Sequence, residues 1–200
     1  KPDFIVLDGP TAEFSMTPTN GCPPLEVDLN AKTKGASAVQ WDVGDGNVIS
    51  GRDTTYTYKR SSQYIPRLIL SDEKGCTYAL PPQDTIRVQP KPKTDFTFSG
   101  ECFGYPTIFN DRSKAGSGSL HNLQWLINGD TLKQGKSISH IFREPGHHTI
   151  KHMAHNDAGC YDTITRKIDI GGLDVRFSVN DTTGCQAKTV VKFRNESIID

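Results

Sequence analysis

The 200-residue sequence has no charge of one sign to spare: 23 basic residues balance 23 acidic ones. That removes the electrostatic basis for binding nucleic acid or an anionic membrane surface. Long apolar runs are also missing. Hydrophobic residues make up 34% of the chain and fall in short segments, well under the roughly 20 in a row that span a bilayer. No window sustains a helical period, and aromatics are scarce at 8%. No G-x-S-x-G, H-E-x-x-H or C-x-x-C run occurs, so the usual motifs of hydrolysis, metal catalysis and thiol redox chemistry are absent. There is no leader pattern either: the chain opens on Lys1-Pro2-Asp3, as expected of a processed or internal segment.

What the sequence does contain is punctuation and repetition. Its 18 glycines and 12 prolines stand between short strand-like runs, as in a turn-rich all-β chain. Phe14-Ser15-Met16, Phe96-Thr97-Phe98 and Phe177-Ser178-Val179 each lead to a cysteine, at 22, 102 and 185. Val39-Gln40-Trp41 recurs as Leu123-Gln124-Trp125, and Lys74-Gly75-Cys76 as Ala158-Gly159-Cys160, both 84 residues on. Asp84-Thr85-Ile86 recurs as Asp162-Thr163-Ile164. A repeat near 82 residues follows. It implies a last strand of a preceding copy at 1–10, complete copies at 11–90 and 91–171, and the start of a third at 172–200. Val191–Asn195 matches the early strand Thr107–Asp111 of the second copy. About seven short strands per copy around a central tryptophan, Trp41 or Trp125, describe a tandem of immunoglobulin-like β-sandwiches.

Cysteines at 22, 76, 102, 160 and 185 are too widely spaced for a zinc knuckle. In phase with the repeat they suggest one staple per copy, Cys22 with Cys76 and Cys102 with Cys160, and hence an oxidising compartment. That pairing requires the start of the second strand and the loop after the sixth to share one end of the sandwich.

Trp41-Asp42-Val43-Gly44-Asp45-Gly46 resembles the W-D-F-G-D-G hallmark of the PKD (polycystic kidney disease) domain. Tyr56-Thr57-Tyr58 resembles that family's H-T-Y segment, and His140–Gly146 its H-T-Y-x-x-P-G run. Gly21–Leu25 and Asn156–Cys160 are similar to the cysteine-containing form found in large surface proteins of Bacteroidota. The resemblance implies a non-catalytic spacer or adhesive stalk of an extracellular, outer-membrane-associated or secreted protein. Its partners would be neighbouring repeats, with surface glycan or outer-membrane secretion or gliding-motility machinery (type IX) as others. An accessory module of a secreted glycan- or protein-degrading enzyme is the alternative.

Candidate sites are few. Asp42 and Asp45 stand close enough for acid–base work, but Asp and Gly are also what a tight turn needs, so no catalytic residue is assigned. The second copy has Leu126–Asp130 where the first has Asp42, Gly44, Asp45 and Gly46, so a binding site shared by both copies is not expected there. Asn128-Gly129 marks a type I′ hairpin. All six histidines fall in the second copy. Aligned with Tyr64 and Leu68, His148 and His152 point inward and His147 and His155 outward, and no metal is assigned. The acids Asp42, Asp45, Asp72 and Glu73 leave structural calcium as a minor expectation and no other cofactor. Five Asp-Thr pairs resemble the O-glycosylation signal of Bacteroidota surface proteins, with Thr54, Thr85, Thr131, Thr163 and Thr182 as acceptors. Finally, Gln89-Pro90-Lys91-Pro92-Lys93 reads as a stiff joint and Gly171-Gly172 as a looser one.

Overall fold

A computed structural model describes residues 9–174, 176–179 and 192–199. The final-strand expectation at Phe4–Leu7, and Thr182 and Cys185, lie outside these residues. Among the described residues all regular structure is β, and no helix is long and apolar enough to cross a membrane.

The first copy is a sandwich of two larger sheets, with a small third sheet in which Ile86–Val88 pairs with Asn20–Gly21 and Ser62–Tyr64. One sheet runs Thr11–Thr17, Leu25–Lys34, Asp53–Tyr58, and the other Val48–Ser50, Ala38–Asp42, Arg67–Ser71, Thr77–Ala79, all antiparallel. Strict alternation makes Leu25–Lys34 a strand with one wet face. Leu25, Val27, Leu29 and Ala31 are buried, and the residues between them are exposed. Trp41 fills the centre, fully buried, with its ring edge-on to Phe14 at 5.4 Å. Its indole N–H donates to the carbonyl of Gly51 at 3.1 Å, which satisfies the one polar atom of the ring.

The second copy repeats this arrangement with Phe96–Ser99, Pro106–Asp111, Ser137–Ile141 against Thr131–Gln134, Leu120–Ile127, Gly146–Asn156, Tyr161–Ile170. Trp125 takes the place of Trp41. It meets Phe96 edge-on at 5.4 Å and donates to Gly135 at 2.8 Å. The described part of the third segment repeats the opening register. Phe177 pairs with Asn195 and Val179 with Phe193, as Phe96 pairs with Asp111 and Phe98 with Phe109.

The chain forms two compact units. The first holds the first copy through Lys93 together with Ala115–His121 and His155–Asp162. The second holds Thr94–Lys114, Asn122–Ala154 and the described residues from Thr163 on. Two loops of the second sequence copy therefore belong to the first unit.

The histidine expectation is met at the two inward positions. His152 is fully buried and stacks on Trp125 at 3.7 Å. His148 takes over the role of Tyr64: the tyrosine hydroxyl donates to the carbonyl four residues back, Arg60, at 2.8 Å, and His148 Nε2 donates to Glu144 at 3.0 Å. His148 Nδ1 then accepts from Asn128 Nδ2 at 2.9 Å. Asn128 and Gly129 both have positive φ, +52° and +83°, as the type I′ hairpin requires.

Candidate functional site

The hallmark turn is held by its own acids. Asp42 Oδ1 accepts from Gly44 N at 3.0 Å, and Asp45 Oδ1 from Asn47 N at 3.1 Å and Asn47 Nδ2 at 2.9 Å. Asp45 Oδ2 accepts from the Tyr56 hydroxyl at 2.6 Å. Burial pushes the Asp45 carboxyl up, but the bonds from Tyr56 and Asn47 outweigh it and hold it below its ordinary value. The same bond raises Tyr56. Tyr58 is raised by burial and donates to the carbonyl of Val43 at 2.8 Å, tying the turn to the core. Gly44 is required twice over: its φ is +80°, and a Cβ there would lie 2.9 Å from Ile65 N. These contacts account for both acids as turn formers. Tyr56 and Asn47 complete the turn, and neither stands out in the sequence as part of it.

Of the other acids weighed for calcium, Asp72 accepts from Lys74 N at 2.9 Å and Cys76 N at 2.8 Å. Among the described residues no three His, Cys, Asp or Glu side chains converge as metal ligands do. His147 pairs with Asp169 on the surface, and His155 stacks on Tyr161 at 5.4 Å. Thr54, Thr85, Thr131 and Thr163 are all half-buried; Thr54, Thr131 and Thr163 lie in strands, and Thr85 immediately precedes Ile86–Val88.

The cysteines depart from the expected pairing. Cys22 bonds Cys160, 138 residues away and in the other sequence copy, with Cα atoms 5.5 Å apart, while Cys76 and Cys102 are free and exposed. The reason is topological. Thr11 pairs with Lys34, so the leading end of the first sandwich, where its first strand begins, is also where Leu25–Lys34 finishes. Ala38 follows after a short turn and pairs with Ser71, which brings the loop Asp72–Cys76 to that leading end. Cys22 precedes Leu25 at the trailing end, where Gly21 O accepts from Gln89 N at 2.8 Å. Ten residues of strand, about 30 Å, separate the two ends, and a disulfide tolerates Cα atoms only roughly 4.4–6.8 Å apart. Cys22 and Cys76 cannot meet. In the second copy Cys160 is taken by Cys22, and Cys102 is left free.

Cys160 is positioned by a turn around Asn156. Asn156 Oδ1 accepts from Cys160 N at 3.0 Å, and its Nδ2 donates to Pro90 O at 3.0 Å and Ala115 O at 2.9 Å. Both Asn156 and Cys160 are fully buried. A Cβ on Gly116 would fall 2.3 Å from the carbonyl oxygen of Lys91, so only glycine fits against that backbone. The Pro-rich segment after the first copy is therefore packed and hydrogen-bonded as well as stiff in composition. Gly171, expected to bend freely, is instead fixed beside Cys102 by a parallel bridge, with its N–H on Glu101 O at 2.7 Å.

Over 135 residues, 65% of this chain, the sequence is 25% identical to the pre-pro-metalloprotease PrtV of Vibrio cholerae in each of two strains. The matched stretch is only 14% of that protein's length. Among solved structures, the PKD1 domain of Vibrio anguillarum Epp matches with TM-score 0.38 and 17% identity, over 41% of this chain and 95% of that one. The fibronectin(III)-like modules of Clostridium thermocellum CbhA match with TM-score 0.39 and 15% identity, over 80% and 95%. The model of the PKD domain family matches residues 8–88. Family and disulfide together point to an extracellular or secreted setting. Residues 8–88, the first sandwich, are thus the part of the chain that matches the PKD domain family.

Proposed function

We propose that the chain is a section of a non-catalytic stalk: tandem sandwiches that set the reach of a large cell-surface or secreted protein. The observation that supports this is the joint. A disulfide from Cys22 to Cys160 and the Asn156 contacts to Pro90 and Ala115 bind the second sequence copy to the segment that leaves the first. A flexible tether between independent binding modules needs no such joint; a spacer that must keep its length does. Both hallmark acids are consumed by their turn, and no catalytic role is assigned to them. Neighbouring repeats are the principal partners in this reading. Adhesive contact with glycan or with outer-membrane machinery is secondary, and no cofactor takes part.

A second reading is favoured by the likeness to a pre-pro-metalloprotease. There the chain is an accessory module beside a protease domain elsewhere in the parent. The experiment that separates the two removes one whole copy, residues 91–171, from the parent protein. A stalk loses reach, measured as the distance from the cell surface to a terminal epitope tag, and keeps its other activities. An accessory module loses substrate turnover with no matching change in distance.

A further inference from the structure

Cys76 and Cys102 are the two described cysteines without a partner, and each repeats the local structure of one that is bonded. Around Cys160, Asn156 N donates to Cys160 O at 2.9 Å, Gly159 N to Asn156 O at 2.9 Å, and Cys160 N to Asn156 Oδ1 at 3.0 Å. Around Cys76, Asp72 N donates to Cys76 O at 3.0 Å, Gly75 N to Asp72 O at 3.1 Å, and Cys76 N to Asp72 Oδ1 at 2.8 Å. The glycines match as well, with φ of +82° at Gly75 and +78° at Gly159.

The other half of the bond is repeated in the same way. Before Cys22, Gln89 N donates to Gly21 O at 2.8 Å on a parallel pairing of Val88 with Gly21. Before Cys102, Gly171 N donates to Glu101 O at 2.7 Å beside a parallel bridge from Cys102 to Gly171. The first two copies thus each carry two cysteines, one of each local kind, and neither copy bonds its own pair. Cys22 and Cys160 show what such a pair does when two copies follow one another.

We infer that Cys102 and Cys76 are open halves of the same joint: Cys102 bonds the leading-end cysteine of the copy that follows, and Cys76 the trailing-end cysteine of the copy that precedes. The inference rests on the stalk reading, since it requires adjoining copies. The third segment already opens in the register of the second copy at Phe177–Val179 with Phe193–Asn195. The array is then a covalent ladder, with one cross-link per junction and none inside a sandwich. The two joints differ in one respect. Asp72 has a carboxylate where Asn156 has an amide, so the donor bonds to Pro90 and Ala115 have no counterpart at Cys76, and that joint rests on the turn and the sulfur bond. Each bond forms by loss of two protons and two electrons from a pair of thiols. The acceptor is the disulfide of a thiol–disulfide oxidoreductase in the exporting compartment, which is reduced to two thiols.

The test is disulfide mapping of the full-length protein from its native host, with free thiols blocked by N-ethylmaleimide before non-reducing proteolysis. The expected result is the Cys102 peptide joined to a peptide from the leading-end loop of the following copy. Recovery of Cys102 alkylated, joined to Cys76, or joined to the Cys102 peptide of a second molecule overturns the inference. The Cys22–Cys160 peptide is the internal control. If it is intact while Cys102 is alkylated, the ladder fails but the observed joint stands. If the third segment is not completed to a full copy in the parent, the stalk reading fails instead. Cys102→Ser gives a second readout: it should expose one newly alkylated thiol, in the following copy. No new thiol, with the protein still secreted, overturns the inference independently.

Discussion

Replacing His152 by leucine, the residue at the matching position of the first copy (Leu68), should damage the second sandwich severely, although it brings in a residue the fold already accepts. His152 Nε2 lies 2.9 Å from Asp111 Oδ1 and its Nδ1 lies 3.0 Å from the carbonyl of Gln124. Both partners accept hydrogen bonds, so leucine at 152 leaves each of them facing a side chain that cannot donate. The side chains of His152 and Asp111 are 0% and 8% exposed, so the energetics are those of a buried pair and not of a surface ion pair worth under about 1 kcal/mol. Removing one member of a buried pair of this kind costs about 3–5 kcal/mol. The first copy shows the remedy. Ala31 donates its N–H to Arg52 O at 3.0 Å as Asp111 donates to Lys136 O at 2.8 Å, so the two positions are equivalent. The apolar pair Leu68 and Ala31 thus stands where the second copy has His152 and Asp111. His152→Leu and Asp111→Ala should each cost about 3–5 kcal/mol, and the double variant little or nothing, because apolar replacement of a whole buried pair is often neutral. Hydrogen exchange of peptides from Leu120–Ile127 and Gly146–Ala154 across a urea series reads the second sandwich alone. A single-variant cost below about 1 kcal/mol, or a double variant no better than the worse single, refutes the reasoning.

Other outcomes follow from the same contacts. Burial raises the Asp111 carboxyl, but bonds from Ser113 and His152 outweigh it, so its value in the fold lies below the ordinary 3.8. Its stabilisation is therefore complete above about pH 4 and is lost as pH falls through the lower folded value. Acid unfolding of the second sandwich should be steeper in the native protein than in the His152→Leu, Asp111→Ala double variant, and identical acid profiles would contradict this. Gly116→Ala combines a φ of +72° with a 2.3 Å backbone clash, whereas Gly129→Ala has a φ of +83° and open space. Each carries about 1–2 kcal/mol for the backbone, so Gly116→Ala should be clearly the worse in hydrogen exchange at 155–162, and equal effects would remove the close-approach argument. Tyr56→Phe deletes the bonds to Asp45 and Asn47 and should lower the thermal stability of the first copy by about 1 kcal/mol; no change would mean that the turn does not depend on them.

Much of the fold was legible because it repeats. Trp41 and Trp125, 84 residues apart, make the same hydrogen bond, and the strands around them follow from alternation and turn glycines. The inward placement of His148 and His152 could be read from Tyr64 and Leu68, since copies of one fold share their core positions. The partner of His152 could not, because the Ala31-to-Asp111 exchange lies on a strand of the other sheet. The cysteine pairing went astray for a different reason. Periodicity relates equivalent positions but does not say whether a bond closes within a copy or between copies, and both choices keep phase. The deciding signal was present in the strand order. Leu25–Lys34 leads by a short turn into Ala38–Asp42, whose antiparallel partner Arg67–Ser71 must end where Leu25–Lys34 ends. That argument puts Cys76 at the far end from Cys22. Asn156 and Pro90 were legible as parts of a cysteine motif and a stiff segment, but the hydrogen bond between them and the close approach of Gly116 to Lys91 carried no sequence signal.

The joint between copies is the centre of this account, and non-reducing peptide mapping of the 200-residue chain tests it most directly. One peptide pair should carry Cys22 with Cys160, and Cys76 and Cys102 should be accessible to alkylation. Recovery of Cys22 with Cys76 and Cys102 with Cys160 would contradict the topology on which the account rests.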